Sequence, residues 1–327
     1  MRRREFIALV GAAIVARPLA IQAQQLGKVY QIGFLASRQD RERNDFFACF
    51  VKALEQLNWV EGQNIRIEYR HADGRPERFP TLAAQLVSLN LDVIVAGSTQ
   101  ASQAVQRTTS EIPVVFGAVT DPVGAGLVAS LARPGGNITG VSNFQLATTG
   151  KILELLKEAV PIVTRVIVLH DPTNDAKLGE LKELKAIGAG AGVTIEAMAA
   201  RNAEGIEHGF SSLEPSPSIG LIVLVDTVTL ANSDKILSLA ATKRLPAIYQ
   251  TRRFVDGGGL MSYGTNFCQL FARTAHYVDK ILKGTRPSEL PAELPMKFEL
   301  VFNLKAANAL GLAIPPTLLA RADDVIE

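Results

Sequence analysis

A pattern that occurs twice constrains this chain more than any other feature. In the first half, Ile112-Pro113-Val114-Val115-Phe116 leads to Gly124-Ala125-Gly126-Leu127. In the second, Leu245-Pro246-Ala247-Ile248-Tyr249 leads to Gly257-Gly258-Gly259-Leu260. Pro113 to Gly126 and Pro246 to Gly259 span the same 13 positions, and an aromatic follows three residues after each proline. Upstream, the run Ile32-Gly33-Phe34-Leu35, a helical pattern and Ile65-Arg66-Ile67-Glu68 are echoed by Val166-Ile167-Val168-Leu169, a helical pattern and Val193-Thr194-Ile195-Glu196. Val- and Ile-rich runs alternating with amphipathic stretches are the signature of parallel α/β layering, and repetition makes each half its own sheet. The expected fold class is α/β, two Rossmann-like lobes with parallel sheets joined by a hinge. At 327 residues the chain is long enough for both lobes to bury a core.

In open parallel sheets, ligands lie beyond the carboxyl ends of the strands, where loops and helix starts supply polar groups. Two such sheets facing one another make a cleft. The chain crosses between them near Val141-Ser142-Asn143-Phe144 and again near Met261-Ser262-Tyr263-Gly264, ahead of a helix predicted over Phe267 to Leu282. These crossovers form the expected hinge, with 257–259 and Tyr263-Gly264 as permissive backbone. The predicted division is 27–142 plus 265–293 for the first lobe and 143–264 plus 294–327 for the second. Three prolines between Arg286 and Pro295 exclude a regular helix there. A strand over Lys297 to Phe302, a helix over Leu304 to Leu310 and a short last helix opened by Pro315-Pro316 then dock on the second lobe.

The candidate ligand contacts follow from where strands end. Val93-Ile94-Val95-Ala96 runs into Gly97, and Ser98 or Thr99 caps the next helix, offering amides and hydroxyls that suit a carboxylate. Asp121 and Asp226 each follow a strand, one in each half, and could hold an amino group between them. Either is more simply a turn or cap residue when taken alone. Ser37 and Arg38 end the first strand, and His170-Asp171 takes the matching place in the second half. Asn143 and Tyr263 lie in the expected crossovers, Gln250 is a possible cleft donor, and Tyr249 reads as packing. The glycine clusters lack the spacing of a phosphate loop or a dinucleotide fingerprint and read as turns.

The N-terminus has a basic start (Arg2 to Arg4), an apolar run from Ile7 to Ala16 and a small-residue end at Ala23, the three parts of an export signal. Ten apolar residues rise only about 15 Å as a helix, half of a bilayer core, so residues 1–23 read as a cleaved signal peptide. Arg3-Arg4-Glu5-Phe6-Ile7 and Arg17 favour the twin-arginine route. A free periplasmic protein is the expectation. The whole-chain charge is +2, but Arg2, Arg3, Arg4 and Arg17 against Glu5 give the signal a surplus of three, so the remainder is slightly negative. A nearly neutral body with no basic stripe gives no reason to expect nucleic acid as a partner.

Catalysis has little foundation. His71, His170, His208 and His276 are scattered without metal spacing, and no nucleophile elbow or Cys-x-x-Cys occurs, so no metal and no cofactor are expected. The enzymatic rival is a two-lobed racemase with a Cys from each lobe. Cys49 falls mid-helix and Cys268 near another helix start, and both read as buried small apolar residues whose pairing stays open.

Trp59-Val60-Glu61-Gly62-Gln63-Asn64-Ile65, Thr120-Asp121-Pro122-Val123-Gly124-Ala125-Gly126-Leu127, Leu131-Ala132-Arg133-Pro134-Gly135-Gly136-Asn137, Gly258-Gly259-Leu260-Met261-Ser262-Tyr263-Gly264 and Lys297-Phe298-Glu299-Leu300-Val301 carry a resemblance. Over about 28–327 the chain resembles the periplasmic components of a bacterial ABC transport family, the tryptophan/tyrosine-type substrate-binding proteins. That resemblance implies a Venus-flytrap fold of the periplasmic binding protein type I class, no catalysis, and a permease and its ATPase as partners. It also implies a carboxylate on Ser98 and Thr99, and polar ligand groups on Asp121 and Asp226. The loop 37–43 is more charged than the family pattern and the run Gln250-Thr251-Arg252-Arg253 more basic, which counts against an aromatic amino acid and admits a more acidic ligand. The expected solute is an amino acid or a comparable small carboxylate. A sensor partner that presents its ligand to a receptor kinase is the third class.

Overall fold

Strand-forming runs end at helix-capping or turn residues throughout, and the repeated order of elements builds two sheets. The computed structural model describes residues 28–38, 45–143, 147–214 and 216–327. The expected signal peptide lies outside the described residues, as does most of the basic loop 37–43.

The first lobe holds β1 (Tyr30–Ala36), α1 (Asp45–Gln56), β2 (Ile65–His71), α2 (Phe79–Val87), β3 (Val93–Ala96), α3 (Thr99–Thr108), β4 (Val114–Val119) and β5 (Ile138–Ser142). The second runs through α4 (Ala147–Ala159), β6 (Arg165–His170), α5 (Asp175–Gly190), β7 (Thr194–Ala199), α6 (Ala203–Ser211) and β8 (Ile219–Val223). It continues with α7 (Thr227–Ala231), α8 (Ser233–Thr242), β9 (Ala247–Tyr249), α9 (Arg252–Asp256) and β10 (Met261–Thr265). The chain then returns to the first lobe as α10 (Phe267–Leu282) and finishes on the second with β11 (Phe298–Asn303), α11 (Leu304–Leu310), α12 (Pro316–Leu319) and β12 (Asp324–Ile326).

The duplication read from the sequence is a duplication of topology. The first sheet has the order β2-β1-β3-β4-β5, and the second contains β7-β6-β8-β9-β10 in the same order. Both sets are parallel throughout. The second sheet is then extended by β11, antiparallel to β10, and by β12.

Each sheet is covered on both faces, as parallel sheets must be. In the first lobe, α1 and α10 bury Phe47, Phe50, Phe271 and Val278 on one face, and α2 and α3 bury Phe79, Leu86 and Val105 on the other. In the second, α4, α5 and the C-terminal helices cover one face, while α6, α8 and α9 cover the other with Phe210, Ile236 and Phe254. Cys49 of α1 and Cys268 of α10 form a disulfide with a Cα–Cα distance of 5.3 Å. The pairing that the sequence left open is thereby resolved, because facing turns of two packed helices bring together side chains 219 positions apart.

Three segments join the lobes, and they are tied to each other. Ser142 donates its N–H to the carbonyl of Glu293 (2.8 Å), and Thr265 Oγ1 donates to the carbonyl of Asn143 (2.9 Å). Close backbone approach beside these junctions demands glycine. A Cβ on Gly140, at φ +153°, would lie 2.1 Å from the Phe116 carbonyl oxygen, and one on Gly264 would lie 1.9 Å from that of Gln250. Tyr263 and Gly264 therefore belong to the interior of β10 rather than to a flexible crossover. Residues 257–259 form the turn between α9 and β10.

Candidate functional site

The carboxyl ends of the two sheets face a shared cleft, lined by Ser37, Ser98, Thr99, Thr120 and Asn143 from one side and Asn174, Lys177, Asp226 and Thr227 from the other. On the first-lobe wall, β3 ends at Gly97 and Ser98 caps α3, its Oγ accepting from the N–H of Ala101 (3.2 Å). Thr99 Oγ1 accepts from the N–H of Thr120 (3.1 Å), locking the start of α3 to the end of β4. The opening amides of α3 form a positive end directed at the gap.

On the second-lobe wall, Asp226 follows β8 and caps the short helix α7. Its Oδ1 accepts from the N–H of Thr229, its Oδ2 accepts from the N–H of Asp171 (both 2.8 Å), and Thr229 Oγ1 returns a bond from the N–H of Asp226. Burial pushes the Asp226 carboxyl up from 3.8 to about 6, against the lowering effect of those two N–H donors. Lys177 of this wall forms a buried ion pair with Glu180 behind it. Gln250 steadies it, donating to Glu180 Oε2 (2.6 Å) and accepting from the N–H of Val225 (2.7 Å).

The walls touch at several points. Lys177 Nζ donates across the gap to Thr120 Oγ1 (3.1 Å), Ser37 Oγ meets Thr227 Oγ1 (3.1 Å), and Arg38 donates to the carbonyl of Leu230 (3.3 Å). Gln100 Nε2 donates to Asp171 Oδ2 (3.0 Å) and Thr173 Oγ1 (3.1 Å). Next to the polar cleft, and sharing Ser37, Gly97, Leu230 and Phe267 with it, lies a second compartment walled by Phe34, Phe46 and Phe271. Arg38 and Arg253 border it.

Of the residues singled out in the sequence, Ser37, Ser98, Thr99, Asn143 and Asp226 line the polar cleft, and Arg38 lines the aromatic compartment. Asp121 does not reach either. It sits exposed in a left-handed conformation at φ +45°, and its carboxylate accepts from the N–H of Gly124 (2.9 Å). Gln250 is buried behind the wall, as part of the ion-pair network. Tyr263 is half-buried against Phe298, with ring centroids 5.9 Å apart, on the second-lobe core. Arg252 turns outward to Asp256 and Asp324, so only Arg253 of that basic run faces a compartment.

The sequence reading missed Lys177, Asn174 and Thr120. One signal was present: Lys177 stands in the first turn of its helix, where the dipole disfavours a cation, so a compensating partner was required. The disulfide removes both thiols that the racemase alternative needed. Among the described residues no group of three or more His, Cys, Asp and Glu side chains is arranged to hold a metal ion.

Known proteins share this fold. A curated relative, the tyrosine-binding protein of Clostridioides difficile (strain R20291), is 27% identical over 263 residues, covering 80% of this chain and 75% of the relative. A conserved domain protein of Vibrio cholerae is 29% identical with a TM-score of 0.85, covering 91% of this chain and 100% of that one. The ABC domain from Streptococcus pneumonia in complex with L-Trp is 27% identical with a TM-score of 0.81, covering 91% and 99%. A ligand-free, open substrate binding protein of Clostridium difficile, also 27% identical and covering 91% and 99%, gives only 0.64. The model of ABC transporter substrate binding proteins matches residues 41–326, and the chain belongs to that family.

Proposed function

We propose that this protein is the exported solute-binding component of an ABC importer and that it closes around an aromatic α-amino acid. The observation that carries the reading is the pairing of a polar cleft with a contiguous compartment walled by Phe34, Phe46, Phe267 and Phe271. Ser98, Thr99 and the start of α3 receive the carboxylate, Asp226 receives the ammonium, and the ring enters the aromatic compartment. The ligands of two relatives, tyrosine and L-Trp, support the same class. Arg38 and Arg253 offer only donors to the ring's edge, which favours a phenol oxygen over an indole N–H.

Residues 27–142 plus 265–293 and 143–264 plus 294–327 move as the two units, hinged on the three joined segments. The closed form is the one recognised by a permease with its ATPase. No helix among the described residues is long and apolar enough to cross a membrane. Export rests on the signal features of residues 1–23.

Calorimetric titration of the purified protein with the twenty amino acids and a set of organic acids tests the reading. Binding of tyrosine in preference to aliphatic amino acids is the expected result. Silence towards every aromatic amino acid refutes it.

A further inference from the structure

Asn174 occupies the cap position of α5, yet its side chain makes no capping bond. An asparagine there ordinarily accepts from the second or third helical N–H. Here the residue is 5% exposed, lines the polar cleft, and its Oδ1 is buried without a hydrogen-bond partner among the described residues. Such an oxygen is costly to bury unless something supplies a donor.

The backbone places this oxygen near the acidic side of the cleft. The N–H of Asn174 donates to the carbonyl of Asp171 (3.2 Å), and the N–H of Asp171 donates to Asp226 Oδ2. The second-lobe wall and the layer behind it hold three buried carboxylates, Asp171, Glu180 and Asp226, against the single ammonium of Lys177. Glu180 is matched by that ammonium, whereas Asp171 and Asp226 are held by neutral donors: backbone N–H groups, Thr173 and Gln100. One ammonium stands against three carboxylates here, so the wall favours a further cation.

We propose that Asn174 Oδ1 accepts a hydrogen bond from a cationic amine of the ligand, which is held on the second lobe between Asn174 and Asp226. The inference rests on the reading of the cleft as an amino-acid site, and it adds a contact and an orientation. The ammonium faces the second lobe, while the carboxylate lies towards the start of α3 and Thr120. Lys177 stands on the same helical turn as Asn174, but its ammonium is committed to Glu180 and to Thr120 across the gap.

The test is calorimetry on the wild type and on Asn174→Leu and Asn174→Asp. The probes are L-tyrosine, L-tryptophan and their amine-free counterparts 3-(4-hydroxyphenyl)propanoate and indole-3-propanoate, with the remaining amino acids as a panel. Asn174→Leu is expected to weaken the amino acids by about ten- to a hundredfold, the range for a hydrogen bond to a charged group. Its affinity for the amine-free acids is expected to stay at the wild-type level. Asn174→Asp keeps an acceptor and adds a charge, so its amino-acid affinity is expected to equal or exceed the wild type's.

Unchanged amino-acid affinity in Asn174→Leu overturns the proposal, because the oxygen is then satisfied by water in the complex. So does a loss in Asn174→Asp, which would make the partner an acceptor. Equal wild-type affinity for amine-free acids, or no binding of any amino acid, overturns it as well. Because the Asn174 side chain caps nothing, Asn174→Leu is expected to melt with the wild type, whereas Asn174→Asp adds a buried carboxylate beside Asp171 and Asp226 and is expected to melt lower without ligand. If Asn174→Leu fails to fold, Asn174→Asp decides alone. Tyrosine binding that survives Asn174→Leu refutes this contact and leaves the aromatic reading standing. Preference for an aliphatic amino acid that is lost in Asn174→Leu does the reverse.

Discussion

Lowering the pH from 7 to 5 adds a proton to Asp226, and the consequence for ligand affinity can be worked from the structure. The carboxyl is buried and its ionisation is pushed up from 3.8 to about 6. Ionised at pH 7, it is disfavoured in the empty folded protein by about 3 kcal/mol relative to the unfolded chain. The sign follows from a folded value raised above the unfolded one. The stabilising contribution of the protonated form is present in full below 3.8 and is lost as pH rises through about 6.

A ligand ammonium beside Asp226 favours the charged form and returns its ionisation towards the ordinary carboxylate range. Binding a zwitterion at pH 5 must then expel a proton that is already absent at pH 7, so affinity drops by about tenfold between pH 7 and pH 5. Titration calorimetry in two buffers of different ionisation enthalpy measures both the affinity and the released proton. Asp226→Asn removes the pH dependence and weakens binding by about ten- to a hundredfold at pH 7. Its stability changes little, because losing the bond from Asp171 is offset by losing the buried charge. Affinity that is flat from pH 5 to 7 in the wild type, or a slope that persists in Asp226→Asn, refutes the argument.

Three further outcomes follow from the packing. Lys177→Met leaves Glu180 buried with only Gln250 as partner and is expected to cost about 3–5 kcal/mol, whereas Lys177→Met with Glu180→Leu recovers most of it; chemical denaturation of both variants decides, and equal losses would oppose the pairing. Cys49→Ser with Cys268→Ser is expected to lower stability by up to about 5 kcal/mol for a loop of 219 residues, with ligand affinity retained below the new midpoint. Gly140→Ala drives a methyl into the Phe116 carbonyl and is expected to cost about 2–5 kcal/mol, read as a shifted denaturation midpoint.

Much of the architecture was legible because duplication leaves two independent copies of one pattern. The paired Pro113 and Pro246 runs mark β4 and β9, and the helix expected over Phe267 to Leu282 is α10 in full. The three-residue β12 was not legible, since Asp324-Val325-Ile326 is too short to carry a period and forms only because β11 offers an edge. Cap positions after buried strands led to Ser98, Thr99 and Asp226, since a strand end in a parallel sheet fixes where the following residue points. Asp121 obeyed the same rule in sequence but adopts a left-handed turn that points it to Gly124. Lys177, Asn174 and Thr120 escaped notice because their roles depend on the partner lobe, which no local pattern encodes. The Cys49–Cys268 pairing escaped because it joins two helices of one lobe that are 219 positions apart in sequence.

The mutual tethering of Ser142, Asn143, Thr265 and Glu293 has a mechanical outcome. Two struts between rigid bodies allow both bending and twisting, whereas three bonded side by side suppress the twist and leave one direction of travel. A single pair of fluorophores placed across the mouth, one on each lobe, would then report the full opening coordinate.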